Sequence, residues 1–267
     1  MYVTSRNHVA FVGRVSKSGC MRRSTTLAAL CLVVVLAGCA GLVSDDGTGS
    51  GDQVAPGVAE NGTVDAAALS DAHVESLTAS GYGHEVNLTM TGTNDGEPVE
   101  TERRQRTSVA PDAVEYTYQT ITSGDTSSRI IVWGNETDAF RSVETPGSDP
   151  QFQRTDPVSS EQLSGVALFE PHLTASFELV ETDERDGTTL YTLEATERPE
   201  SDAAFPRDAT NIRNYESRLI VDDEGRIHGL SVVADYDIDG EAADYELTFR
   251  MTGFDDPGVE RPSWVGE

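Results

Sequence analysis

Apolar and polar positions change their spacing near residue 81. Between Asp65 and Ala79 the apolar side chains Leu69, Val74 and Leu77, with His73 or Ala72, recur at helical spacing. That predicts a helix, capped by Asp65 and stopped by Ser80-Gly81. From Tyr82 the period becomes two. Tyr82, His84, Val86, Leu88 and Met90 alternate with Gly83, Glu85, Asn87, Thr89 and Thr91, the mark of a half-buried strand. Thr93-Asn94-Asp95-Gly96 reads as a turn, and Glu97 to Val109 as a long polar strand. Val114, Tyr116 and Tyr118 alternate next. Ile130 to Trp133 follows, and Gly134-Asn135 turns into Asp138 to Val143. A second helix is expected near Ser160 to Phe169, with Leu163, Val166, Ala167 and Leu168 apolar. Strands resume at Phe177–Glu181, Leu190–Ala195, Tyr215–Val221, Ile227–Ile238 and Tyr245–Met251, with a hairpin turn at Asp222-Asp223-Glu224-Gly225. Runs of strands around separate helices predict an α+β fold. The expected architecture is a large curved antiparallel β-sheet, a half-barrel-like meander, with one N-terminal helix and one inserted helix. A meander this long must curl or be covered to protect its edges.

The first 63 residues follow neither period. From Met21 the chain runs through Arg22-Arg23 and an apolar stretch, Leu27 to Gly38, that ends at Cys39. A basic start, a short apolar run and small residues before a cut are the layout of a secretory signal peptide. The apolar run falls short of the ~20 residues that a spanning helix needs. Leu36-Ala37-Gly38-Cys39 resembles the lipobox of lipoproteins, in which the cysteine is lipidated and becomes the new N-terminus. The resemblance implies a signal peptide over 1–38, with 1–20 a mis-assigned start or an extension removed with it. Cys39 is then the lipidation site. Export by the twin-arginine or the general route stays open, since Ser24-Thr25-Thr26 lacks the usual hydrophobic residue after the arginine pair. Ser44 to Asp52 is rich in Gly, Ser and Asp, so 39–63 is expected to be a flexible acidic tether. Residues 64–267 are expected to be a single β-rich domain.

Charge changes the picture further. The net charge is −27, yet residues 1–38 hold five of the 19 basic residues and none of the 46 acids. Lys17 is the only lysine. A surface this acidic repels itself unless salt screens it, and at molar salt the Debye length is about 3 Å. The lysine-free, acidic composition after Cys39 resembles that of haloarchaeal proteins. Nucleic acid is not an expected partner, because phosphates would face carboxylates. Cys20 and Cys31 lie in the removed segment and Cys39 carries lipid. The mature chain then has no disulfide, thiolate nucleophile or Cys-held metal.

The Cys39 start, the His73/Leu77 helix, Asp223-Glu224-Gly225-Arg226-Ile227 and the closing Pro262-Ser263-Trp264 resemble haloarchaeal surface lipoproteins of unknown function. At the level of fold, the lipobox, tether, helix and long meander resemble LolA/LppX-type half-barrel lipoproteins. That resemblance implies a sheet wrapped around helices and an apolar cavity for lipid.

Three kinds of candidate site remain. Asp235, Asp237, Asp239-Gly240 and Glu246 match an EF-hand calcium loop, which requires flanking helices. Here both flanks read as strands, so a hairpin with Tyr236 and Ile238 inward and the aspartates outward is expected, with no metal. Asn61, Asn87 and Asn135 each open an N-glycosylation sequon. Tyr116, Tyr118, Trp133, Phe177, Tyr236 and Phe249 recur on strands as core or as the lining of a cavity. The histidines form no ligand pair in the sequence, no G-x-S-x-G elbow occurs, and no cofactor or catalytic set is expected. The expected function is a lipid-anchored protein on the outer face of the cell membrane that binds a lipid or other apolar ligand, as carrier or sensor. A surface protein-interaction module is the alternative, and an extracellular hydrolase a third reading. The expected partners are the membrane, through the lipid anchor, and a lipid or apolar small molecule; a protein partner, of unknown identity, belongs to the alternative.

Overall fold

The computed structural model describes residues 52–266, apart from Ala79, Asp95, Gly96, Asp112, Ala113, Val114, Asp125 and Asp255. The signal peptide, the lipobox and Cys39 therefore lie outside the described residues. So do Val114 and half of the turn at Thr93–Gly96.

The described chain opens on two short antiparallel strands, β1 (Gln53–Ala55) and β2 (Val58–Ala59). The expected tether reached residue 63, but Ala55 and Val58 are buried in the main core. Gly57 explains how this stretch docks. It has φ +76°, and a Cβ there would lie 2.5 Å from the Leu69 backbone nitrogen. Only glycine combines that dihedral with that approach. Helix α1 (Ala66–Thr78) starts as expected, with Asp65 Oδ1 accepting from the Ala68 N–H at 3.1 Å. Its buried side is Leu69, Ser70, His73 and Leu77.

Eleven strands form one antiparallel sheet: β3 (Tyr82–Asn94), β4 (Glu97–Val109), β5 (Glu115–Ser123), β6 (Ser128–Asn135), β7 (Ala139–Glu144), β8 (Gln151–Thr155), β9 (Glu178–Arg185), β10 (Thr188–Ala195), β11 (Thr210–Asp222), β12 (Ile227–Ile238) and β13 (Glu241–Phe254). Their order is β8-β7-β6-β5-β4-β3-β13-β12-β11-β10-β9. Two meanders are thus joined where the first long strand pairs with the last, Val86 opposite Phe249 and Leu88 opposite Leu247. The α+β class and the large antiparallel sheet agree with the sequence pattern.

The inserted helix differs from expectation. It is broken into α2 (Ser160–Ser164) and α3 (Val166–Phe169), followed by a 3-10 turn at Glu170–Thr174. The break is Gly165, which has φ +84°. A Cβ there would meet His84 Cε1 at 3.0 Å and Phe249 Cε2 at 3.2 Å. Sheet packing, rather than helical spacing, decides the local conformation.

The inner face of the sheet carries α1, α2, α3 and the 3-10 turn. The main core joins Leu69, Phe169 and Leu173 to Leu193, Leu219, Leu230, Val232, Leu247 and Phe249. A second core joins Leu77 and Leu163 to Tyr82, Val109, Tyr116, Val132 and Ala139. On the outer face, the C-terminal segment covers part of the β6–β8 region. Arg261 lies over the Trp133 ring at 5.1 Å, and Trp264 stacks on Phe152 at 5.5 Å.

Candidate ligand site on the inner face

Strand alternation sorts the chemistry of β4. Glu100, Glu102, Arg104 and Arg106 share one parity, and Thr101, Arg103, Gln105 and Thr107 the other. Register shows which is inner: Gln105 pairs with Val86 and Arg103 with Leu88, both on the helix-bearing face. Beneath α3 these side chains border a small cavity of about 40 Å³, lined by Val86, Leu88, Arg103, Gln105, Leu168, Tyr245 and Leu247. That is room for roughly two or three waters.

The polar groups here are incompletely paired. The Tyr118 hydroxyl donates to Gln105 Oε1 at 3.0 Å. Gln105 Nε2, a buried donor, has no partner, and neither do the buried hydroxyls of Thr107 and Thr120. Arg103 is half-buried and forms no ion pair or hydrogen bond among the described residues. Arg141, on the inner parity of β7 opposite Val132, has a buried Nε without a partner.

Behind the cavity the fold gathers histidines that the sequence spacing leaves apart. His73 on α1 and His84 on β3 flank Phe249, at 5.8 and 5.2 Å between ring centroids. Phe169 of α3 completes the group at 4.7 Å from Phe249. His73 Nδ1 accepts from the Ile227 N–H at 3.0 Å. His84 Nε2 donates to the Leu163 carbonyl at 2.7 Å, and His172 Nε2 bonds the Tyr245 hydroxyl at 3.1 Å. Burial is the main cause that drives His73 down to about 3 from 6.5, and His84 and His172 to about 4. All three are neutral at ordinary pH. None has a carboxylate partner, so this is a packing cluster rather than a general-base assembly. The sequence hint was the apolar company of His73 and His84 in two different periods, which is visible only once α1 and β3 are known to touch.

The other sequence candidates are placed as follows. Tyr116, Trp133, Phe177, Tyr236 and Phe249 are buried core, while Tyr118 is half-buried. Of the six, only Tyr118 approaches the site, through its bond to Gln105. The Tyr116 hydroxyl accepts from the Val158 N–H at 2.8 Å, tying the chain before α2 to the sheet. Trp133 takes the outer parity of β6, beside Phe140.

The EF-hand-like residues sit on the β12–β13 hairpin, where Ile238 pairs with Glu241 and the turn is Asp239-Gly240, both at positive φ. Asp235 and Asp237 point outward. Asp237 accepts from Asn211 at 2.9 Å and Arg213 at 2.8 Å, and these bonds hold its carboxyl below the usual range. Glu246 is on β13 opposite Val233, also outward. No group of metal ligands is assembled among the described residues.

Asn61 is exposed and forms an Asx turn with the Thr63 N–H at 3.0 Å. Asn87 is on the outward parity of β3, its amide 3.5 Å from Thr248 Oγ1. Asn135 uses its side-chain oxygen to accept from the Thr137 and Asp138 N–H groups at 3.0 and 2.9 Å.

Asp222 organises the β11–β12 turn. Its Oδ1 accepts from the Glu224 and Arg226 N–H groups, and its Oδ2 from His228 Nε2 at 2.9 Å. Burial would raise its pKa, but the hydrogen bonds and charges of His228 and Arg226 prevail and hold it below the ordinary value.

The outer face bears a larger groove of about 580 Å³, lined by Glu85, Asn87, Glu102, Arg104, Gln105, Arg106, Gln119, Ile121 and Arg129. Its charges are internally matched. Arg106 and Arg250 both contact Glu85, and Arg104 contacts Glu102.

Comparison with protein-family models gives no match, and comparison with curated proteins gives none. Solved structures do match. A protein of the DUF1329 family from Desulfovibrio piger has 13% identity over 73% of this chain and 95% of its own, with a TM-score of 0.27. A domain from Vibrio parahaemolyticus described as outer membrane lipoprotein-sorting has 11% identity over 72% and 95%, with a TM-score of 0.25. A LolA superfamily protein from Nitrosomonas europaea has 12% identity over 75% and 96%, with a TM-score of 0.22. Likenesses of this size assign no function.

Proposed function

We propose that this chain is a lipid-anchored carrier or sensor that binds an apolar ligand between α3 and the inner face of the sheet. Cys39 is its lipidation site, and the outer face of the membrane in a salty surrounding its location. The carrying observation is the cavity under Leu168, where Val86, Leu88 and Leu247 meet a helical cover of only four residues. Helix α3 has four residues and follows Gly165, and it holds the core through Val166 and Phe169 while Leu168 covers the cavity. Displacement of Leu168 would widen the cavity along Leu88, Arg103 and Leu247. In its described form the cavity holds no more than a few waters, so binding requires that displacement. The reading is of a binding protein rather than an enzyme, and it needs no cofactor.

The test is native mass spectrometry of the full chain, purified from its membrane in molar salt, with extraction and identification of bound lipid. A bound apolar species of defined mass is expected. Its loss is expected in Leu168→Trp, which fills the cavity from α3. A clean apo mass for the parent chain overturns the reading. The outer groove at Glu85, Arg106 and Arg129 favours a second reading, a surface module for a polar protein partner, which that outcome would promote.

A further inference from the structure

The inward positions that flank Arg103 are Leu88 on β3, Thr122 on β5, and Tyr245 and Leu247 across the cavity. None is acidic, although the chain has 46 acidic residues. Carboxylates are close in sequence, at Glu100 and Glu102, but alternation turns them to the other face, where Arg104 takes Glu102. A half-buried guanidinium without a counter-charge loses solvation and regains nothing, so such a group is normally paired. The unpartnered polar atom next to it, Gln105 Nε2, is also a donor. Gln105 is 3% exposed, and the Tyr118 hydroxyl fixes which way its amide faces. The Thr120 hydroxyl, opposite Gln105 in register, is buried and free to donate as well. Three neighbouring groups thus offer protons and none offers an opposing charge, while Val86, Leu88, Leu168 and Leu247 supply a hydrocarbon wall.

We propose that the inner-face site recognises an amphiphile with an anionic head, the head held by Arg103 and Gln105 Nε2 and the chain laid against Leu88, Leu168 and Leu247. This rests on the apolar-ligand reading and adds the charge of the head. Strong net negative charge would repel such a ligand at low salt, and molar salt removes that long-range term while leaving the buried contact in place. A charge-assisted hydrogen bond in a shielded site supports a preference of roughly ten- to a hundredfold over an uncharged head.

The experiment is calorimetric titration of the full chain in molar salt with three probes: dodecyl phosphate, dodecanol and inorganic phosphate. Dodecyl phosphate is expected to bind at least about tenfold tighter than dodecanol, and inorganic phosphate far more weakly than either. In Arg103→Met the two dodecyl probes are expected to bind alike, and Arg103→Lys to restore part of the difference. Circular dichroism of each variant checks that it is folded. Equal binding of both dodecyl probes to the parent chain, or a preference that survives in Arg103→Met, overturns the anionic head and leaves the apolar reading standing. Inorganic phosphate binding as tightly as dodecyl phosphate overturns the amphiphile in favour of a simple anion site. Binding of none of the probes overturns both readings.

Discussion

On the outer face of the sheet, Arg104, Arg106, Arg129, Arg154, Arg213, Arg218 and Arg250 each lie within 4.0 Å of a carboxylate. On the inner face, Arg103 and Arg141 lie beside Leu88 and Val132 in register, with no acid against them among the described residues. The backbone, the strand period and the residue type are the same on both sides. Burial differs. Outside, water and counterions already satisfy an arginine, so its ion pair adds about 0–1 kcal/mol. Inside, every polar group must find a partner or bear the cost of desolvation. Unpaired polar groups therefore carry information on the inner face and little on the outer. His73, His84 and His172 are also inside, and burial holds them neutral.

Acid should strike the inner face first and hardest. The three buried histidines have folded pKa values lowered to about 3 and about 4, against 6.5 unfolded. The unfolded chain therefore binds more protons below pH 6.5. Stability is full above that value and is lost as pH falls toward 4, by on the order of 3 kcal/mol per histidine. Denaturant unfolding in molar salt, followed from pH 7 to 4, should show this loss. Replacing His172 by Gln should flatten the slope by about one proton's worth. A pH-independent midpoint would overturn the reading that burial holds the inner histidines neutral.

Phe249→Ala comes next. Phe249 is 2% exposed and touches Phe169, His73 and His84. A loss of about 3–5 kcal/mol is expected in the same assay. A cost below about 1 kcal/mol would show that the helices pack loosely on the sheet.

Gly165→Ala tests the hinge. With φ +84° and a Cβ pressed against His84 and Phe249, it should destabilise by about 1–3 kcal/mol. Thermal melting reads this directly. No change would mean that α2 and α3 can fuse into one helix.

The smallest effect belongs to the outer face. Arg218 contacts Glu194 at 2.8 Å and Glu181 at 3.4 Å while half exposed. Arg218→Gln should cost under about 1 kcal/mol, and less still at molar salt. A larger loss would sharpen the contrast in the opposite direction, by making the outer ion pairs a structural network.

The sequence by itself determined the strand period from Tyr82 onward, the α1 cap at Asp65 and the hairpin turns at Asp222–Gly225 and Asp239-Gly240. These are local: alternation, capping and turn chemistry act over two to four residues. Period two also decided that Glu102 and Arg103 face opposite ways. Which way is inner was decided by tertiary structure, because Glu97–Val109 is polar on both parities and only pairing with Val86 and Leu88 orients it. The docking of Gln53–Ala59 was invisible for a similar reason: seven residues broken by Pro56-Gly57 show no period, and their place depends on Gly57 fitting against α1. The break at Gly165 is set by His84 and Phe249, which are far away in sequence. The Arg103 site likewise exists only because four strands and a short helix converge. No spacing along the chain can report that a neighbour is missing.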